Sequence, residues 1–127
     1  MIFRESDAFS KDVKALMKKW RTLPGDIEEA KKVVASLYEE QEGVDSALFR
    51  KNFFDGKAAA ILTDAEQYEV VKMRLDCKSP GSKGKARLVF VFVVSDEEVT
   101  LLELFSKSNK DREDQRRIDG FINLLAC

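Results

Sequence analysis

YEVVKMRLDCKSPGSKGKARLVFVFVVSDEEVTLLELFSKSNKDREDQRRI, residues 68–118, reads as three successive β-strands followed by a charged helix. Tyr68–Leu75 alternates as a strand does, with Val70, Lys72 and Arg74 on one face and Val71, Met73 and Leu75 on the other. Pro80, Gly81 and Gly84 make Asp76–Lys85 a loop. Ala86–Val94 is apolar on both faces, which fits a central strand covered on both sides. Ser95–Glu98 reads as a hairpin turn and Val99–Phe105 as the next strand. From Asp111 onward, Ile118, Phe121, Ile122 and Leu125 supply the stripe of a terminal helix. Gly120 weakens that helix by roughly 1 kcal/mol relative to alanine.

Working outward, Met1–Glu5 is short and alternating, as a first strand would be. Phe9, Val13, Leu16, Met17 and Trp20 then fall on one face of a helix, with Ser6 or Asp7 as its N-cap. Leu23-Pro24-Gly25 breaks the pattern. Asp26 with Glu29 resembles a capping box for a second helix, whose stripe is Ile27, Ala30, Val33, Val34 and Leu37. A connection this short implies an antiparallel helix hairpin. Glu39–Ala65 carries the weakest pattern: Gly43 and Gly56 punctuate it, Phe49, Phe53 and Phe54 call for burial, and Ala58–Leu62 reads equally as a short strand or a helical turn. The expected order is β-α-α-β-β-β-α, an α+β fold with a helix hairpin packed on a small, mainly antiparallel sheet.

The length of 127 residues fits one domain, residues 1–127, and suffices to bury a core without disulfides or metals. No apolar run reaches the ~20 residues of a membrane helix, so no membrane association is expected. Arg4, Glu5 and Asp7 rule out a signal peptide at this N-terminus. Cys77 and Cys127 form no C-x-x-C pair and are expected as reduced thiols in a cytoplasmic protein. Histidine is absent, which removes Ser-His-Asp and Cys-His nucleophiles and histidine-ligated zinc. Neither a Walker A loop nor a G-x-G-x-x-G turn is present, and no cofactor or metal is expected.

The formal net charge is −1, but the charge is unevenly spread. Between residues 72 and 87, Lys72, Arg74, Lys78, Lys83, Lys85 and Arg87 face only Asp76. A patch of that density attracts a polyanion even on a mildly acidic protein. The competing reading is that these lysines only solvate a loop.

The residues also carry a family likeness. FRESDAFSKDVKALMKKWRTLPGDIEEAKKVV, VKMRLDCKSPGSKGKARLVFVFV and VTLLELFSKSNKDREDQRRI resemble three parts of the RelE/ParE superfamily of bacterial type II toxin–antitoxin toxins. These are the opening strand and helix hairpin, the strand, basic loop and central strand of RelE-like members, and the last strand with the lysine-containing segment after it. The resemblance covers most of the chain except residues 39–66 and implies a RelE-like fold. It implies a toxin neutralised by a cognate antitoxin. RelE-like members cleave messenger RNA, usually on the ribosome, and thereby inhibit translation; ParE-like members poison DNA gyrase instead.

Cleavage of this kind uses the RNA's own 2′-hydroxyl against the adjacent phosphate and needs no metal. Lysine and arginine supply charge stabilisation, and arginine offers a planar fork for phosphate oxygens. The resemblance points to Arg87, at the start of the central strand, for phosphate binding. Arg74 on the neighbouring strand is expected in the same groove, and Lys107 falls where family members carry a basic active-site residue. Lys72, Lys83, Lys85 and Lys110 are expected to hold the RNA backbone. Some ribonuclease toxins use a histidine or a C-terminal tyrosine as acid or base, whereas the tyrosines here are Tyr38 and Tyr68. An endoribonuclease (an mRNA interferase), a non-nucleolytic inhibitor of gyrase, and an inactive or regulatory family member therefore all stay open.

Overall fold

In a computed structural model that describes residues 1–39, 42–43 and 45–126, the chain runs β1 (Ile2–Glu5), α1 (Asp7–Leu16), α2 (Leu23–Tyr38), α3 (Ser46–Asp55), β2 (Ala59–Asp64), β3 (Tyr68–Arg74), β4 (Ala86–Val93), β5 (Glu98–Ser106) and α4 (Gln115–Leu125). The strands form one sheet in the order β1-β5-β4-β3-β2. β1 runs parallel to β5, and the other neighbours are antiparallel. The last strand of the chain is thus an interior strand of the sheet.

Alternation along the strands divides the core. Val71, Met73, Leu88, Phe90, Val99 and Leu101 face the helix hairpin, where Phe9, Trp20, Leu23, Ile27 and Val34 meet them. Val70, Val89, Val91, Leu102 and Phe105 face the other way and are covered by Ile118 of α4, with Phe121 and Ile122 beside it. α4 shields only part of that second face; the end of the sheet near Arg74, Arg87 and Lys107 is left open as a groove.

Several local expectations need correction. The second helix begins at Leu23, not after Asp26, and Pro24 sits in its first turn, where a missing N–H costs no bond. Asp26 is therefore no cap of its own helix but a buried acceptor. It takes hydrogen bonds from Thr22 Oγ1 (2.6 Å) and from the Lys78 backbone N–H (3.2 Å). Thr22 in turn meets Ser79, its backbone N–H donating to Ser79 Oγ at 3.0 Å. The basic loop is thus clamped to the hairpin rather than merely solvated. Its Ser82 hydroxyl closes back on the Cys77 carbonyl at 3.0 Å.

The segment with the weakest sequence pattern supplies α3, capped by Asp45, and the edge strand β2. α4 starts at Gln115 with Asp114 as N-cap, later than the expected start at Asp111, because residues 107–114 are irregular. Arg117 of α4 reaches back to α1, donating to both carboxylate oxygens of Asp12 (2.6 and 3.1 Å) and to the Leu102 carbonyl (3.2 Å). Asp12 also accepts the Leu104 N–H (3.1 Å), so one carboxylate ties α1, β5 and α4 together.

Cys77 is a free, buried thiol; Cys127 lies outside the described residues. Among the described residues, no helix is long and apolar enough to cross a membrane. Tyr38, at the end of α2, stacks on Phe92 with ring centroids 3.9 Å apart and donates to Glu69 Oε1 at 2.6 Å. Burial, reinforced by that bond to a carboxylate, holds its phenol far above its ordinary value. Arg50 of α3 completes the cluster by pairing with Glu69.

Candidate functional site

The open end of the second sheet face is a cavity of about 310 Å³, with Lys57, Lys72, Arg74, Arg87 and Lys107 on its walls. Strand register explains why they meet. Arg74 of β3 lies directly opposite Arg87 of β4, and Lys72 is two residues along the same face of β3. On the far side of β4, Arg87 is opposite Phe105 of β5, and Lys107 follows that strand's last residue. The Lys107 backbone N–H donates to the Lys85 carbonyl at 2.8 Å, which holds the turn against the root of β4. The outer wall is the α3–β2 connection, Gly56 to Ala58, with Ala59 and Ala60 at the start of β2, and these alanines leave the space open. Ala60 is the β2 partner of Lys72.

Arg87 is the most enclosed cation of the site, at 7% exposure. Its Nη1 donates to the carbonyls of Gly84 (2.8 Å) and Ala86 (3.1 Å). Gly84 sits at φ +73°, a left-handed conformation that favours glycine, so the end of the loop is shaped to offer that carbonyl. Burial lowers the Arg87 pKa from its ordinary value, and the facing charge of Arg74 lowers it further. Among the described residues, no carboxylate pairs with Arg74, Arg87, Lys57 or Lys107. Like charges on directly opposed residues of neighbouring strands destabilise a sheet. Two arginines so placed, with no counter-ion among the described residues, concentrate positive charge at the groove floor.

Of the residues singled out from sequence, Lys72, Arg74, Arg87 and Lys107 come together in this groove. Lys83 and Lys85 are exposed in the clamped loop and do not line it. Lys110 is turned away and pairs with Glu103, which is only 2% exposed. That pairing has a plain cause: a carboxylate inside a strand as apolar as Val99–Phe105 needs a cation, and Lys110 supplies one. Lys57 lines the groove but does not stand out in the sequence, because its place depends on the edge strand that local pattern leaves undecided. Glu113 is missed by sequence reasoning as well. Its carboxylate oxygens lie 3.3 and 3.4 Å from Nζ of Lys72, which lines the groove. Among the described residues, no group of histidine, cysteine, aspartate and glutamate is arranged to hold a metal.

No family model and no curated protein matches this sequence. Among solved structures, the chain is similar to one in the crystal structure of the archaeal RelE–RelB complex from Pyrococcus horikoshii OT3. The identity is 14%, the match covers 86% of this chain and 97% of that one, and the TM-score is 0.52. At that identity the likeness shows the fold alone. The α+β, RelE-like fold expected from the sequence is borne out, with α3 and β2 added to the expected order.

Proposed function

We propose that the chain, acting as a single toxin domain over residues 1–127, is the toxin of a type II toxin–antitoxin pair and that its groove takes the phosphate backbone of messenger RNA. The observation that carries this is the Arg74–Arg87 pair on the groove floor, opposed in register and without a counter-ion among the described residues. The RelE-like fold supports the same reading, since the similar structure is of a RelE–RelB complex. A cognate antitoxin would then neutralise this chain.

The chemistry is transesterification. The 2′-oxygen bonds to the adjacent phosphorus, the bond from phosphorus to the 5′-oxygen breaks, and the products are a 2′,3′-cyclic phosphate and a 5′-hydroxyl. Arg74 and Arg87 are placed to bind the non-bridging oxygens, on which negative charge builds in the transition state. Lys107 stands at the side of the same groove, where an ammonium can meet the leaving oxygen. Lys57 and Lys72 extend the cationic wall along the neighbouring phosphates.

The test is induced expression of the wild type and of the Arg87→Ala/Lys107→Ala double mutant, with primer-extension mapping of cellular mRNA. New cuts in translated regions that vanish in the folded double mutant support the proposal. Growth arrest without cuts moves the case to a non-nucleolytic target such as DNA gyrase. Neither arrest nor cuts makes the chain an inactive member of its fold.

A further inference from the structure

We infer that Glu113 is the proton acceptor of the groove, the group that takes the proton from the attacking 2′-hydroxyl. This rests on the nuclease reading above. There is no histidine in the chain, and among the described residues no tyrosine or cysteine lines the groove. Tyr38 is committed to Glu69 on the opposite face of the sheet, and Tyr68 begins the strand that carries Lys72 and Arg74 near its other end.

Glu113 does not itself line the cavity, but its carboxylate touches the ammonium of Lys72, which does. Its side chain is 14% exposed and touches Lys72 through both oxygens at slightly long distances, 3.3 and 3.4 Å. A contact of that length leaves a carboxylate oxygen able to accept a shorter bond from a hydroxyl. The other acids nearby are occupied. Glu103 is taken up by Lys110 and by the Asp114 backbone N–H at 2.7 Å, and Asp114 caps α4 through the Arg116 N–H at 3.0 Å. The Glu103–Asp114 bond has a second effect. It anchors the backbone immediately after Glu113 to the buried floor of the sheet, so the Glu113 carboxylate is held rather than free to swing.

Reach is adequate. Lys72 and Arg74 are two residues apart on one strand face, about 7 Å along the strand. A phosphate on Arg74 and Arg87 therefore puts the adjoining ribose beside Lys72 and the Glu113 carboxylate. In the step proposed, the 2′-hydroxyl proton passes to Glu113 as the oxygen–phosphorus bond forms. The 5′-oxygen departs with a proton from the Lys107 ammonium, and exchange with water restores both residues. Lys72 acts as the positioning residue that keeps the carboxylate turned toward the groove.

The experiment pairs two readouts on the full-length protein: single-turnover cleavage of mRNA in a translating extract, and binding of a short RNA made uncleavable by 2′-deoxy substitution. Glu113→Gln removes the base but keeps the shape. Cleavage should fall by roughly 10²–10⁴-fold. Binding should hold or tighten, because a negative charge has left a cationic site. Glu113→Asp, which keeps a carboxylate one methylene shorter, should cut at an intermediate rate with unchanged binding; it carries the test if the glutamine variant does not fold. Cleavage by Glu113→Gln at or above the wild-type rate overturns the inference and leaves Glu113 as a mere counter-ion of Lys72. Loss of binding in step with cleavage overturns it too. A wild type that cuts no RNA in the extract sinks the nuclease reading itself, an outcome distinct from an active wild type with an indifferent Glu113.

Discussion

Replacing Arg74 by glutamine should raise the melting temperature while weakening the grip on RNA. Arg74 is exposed and opposes Arg87 directly across β3 and β4, and it has no ion-pair partner among the described residues. At a charge separation of roughly 6 Å and the dielectric constant of water, the repulsion is about 0.7 kcal/mol. Favourable cross-strand pairs are worth about 0.2–1 kcal/mol, the same order, and like charges directly opposed act in the reverse sense. Solvent screening of the Arg74 side keeps the figure at that level even though Arg87 is buried. For a chain of this length, about 3–5 °C per kcal/mol makes the gain about 2–3 °C at low ionic strength. Raising the salt to about 1 M shortens the screening length to about 3 Å, and the difference between mutant and wild type should vanish. On the proposed function the same substitution removes one phosphate contact, so the slope of log affinity against log salt for single-stranded RNA should shrink by about 0.7. Melting curves and fluorescence anisotropy over a salt series measure both. A melting temperature that falls on substitution, or a salt slope that stays unchanged, would refute the picture of two uncompensated arginines sharing an anion.

Two further outcomes follow from buried polar groups. Asp26→Ala removes the acceptor for Thr22 and for the Lys78 N–H. It should cost about 1–3 kcal/mol in urea unfolding and leave the basic loop, residues 76–85, more open to proteolysis than in the wild type. Tyr38 is held neutral by burial and by Glu69, so its folded pKa lies above the ordinary 10.0. The stability it contributes is therefore fully present below pH 10 and is lost as pH rises further, and Tyr38→Phe should flatten the alkaline decline seen in melting temperature against pH.

How much of this is legible in the sequence depends on periodicity. β3, β4 and β5 show themselves because their side chains alternate or are uniformly apolar, and from them Arg74 and Arg87 fall onto neighbouring strands. α3 hides because none of its residues is fully buried: Leu48 is 54% exposed, and Phe49, Phe53 and Phe54 are only half-covered. β2 hides because it is a short edge strand whose alternation is interrupted by an irregularity between Ile61 and Thr63. Lys57, at their junction, has no place without them. The placement of Lys83 and Lys85 turns on Asp26, Thr22 and Ser79, contacts far apart in the chain that no local pattern encodes. Lys110 carries a signal of another kind: Glu103 inside an apolar strand demands a partner, and a lysine shortly downstream meets that demand.

The pairing of β1 with β5 also sets an order in time. During synthesis, residues 2–5 emerge from the ribosome long before their partners, residues 98–101, have been made. The first strand must wait for β5, the last of the five. β5 then docks between β1 and β4 and, in the same event, brings Phe105 opposite Arg87 and sets Lys107 beside the root of β4. A nascent chain that stops before residue 98 therefore has no assembled cationic groove, whatever local structure it has reached. Instead it presents the bare flank of β4, an apolar edge that invites pairing with other chains. The groove can therefore assemble only after residues 98–107 have been made.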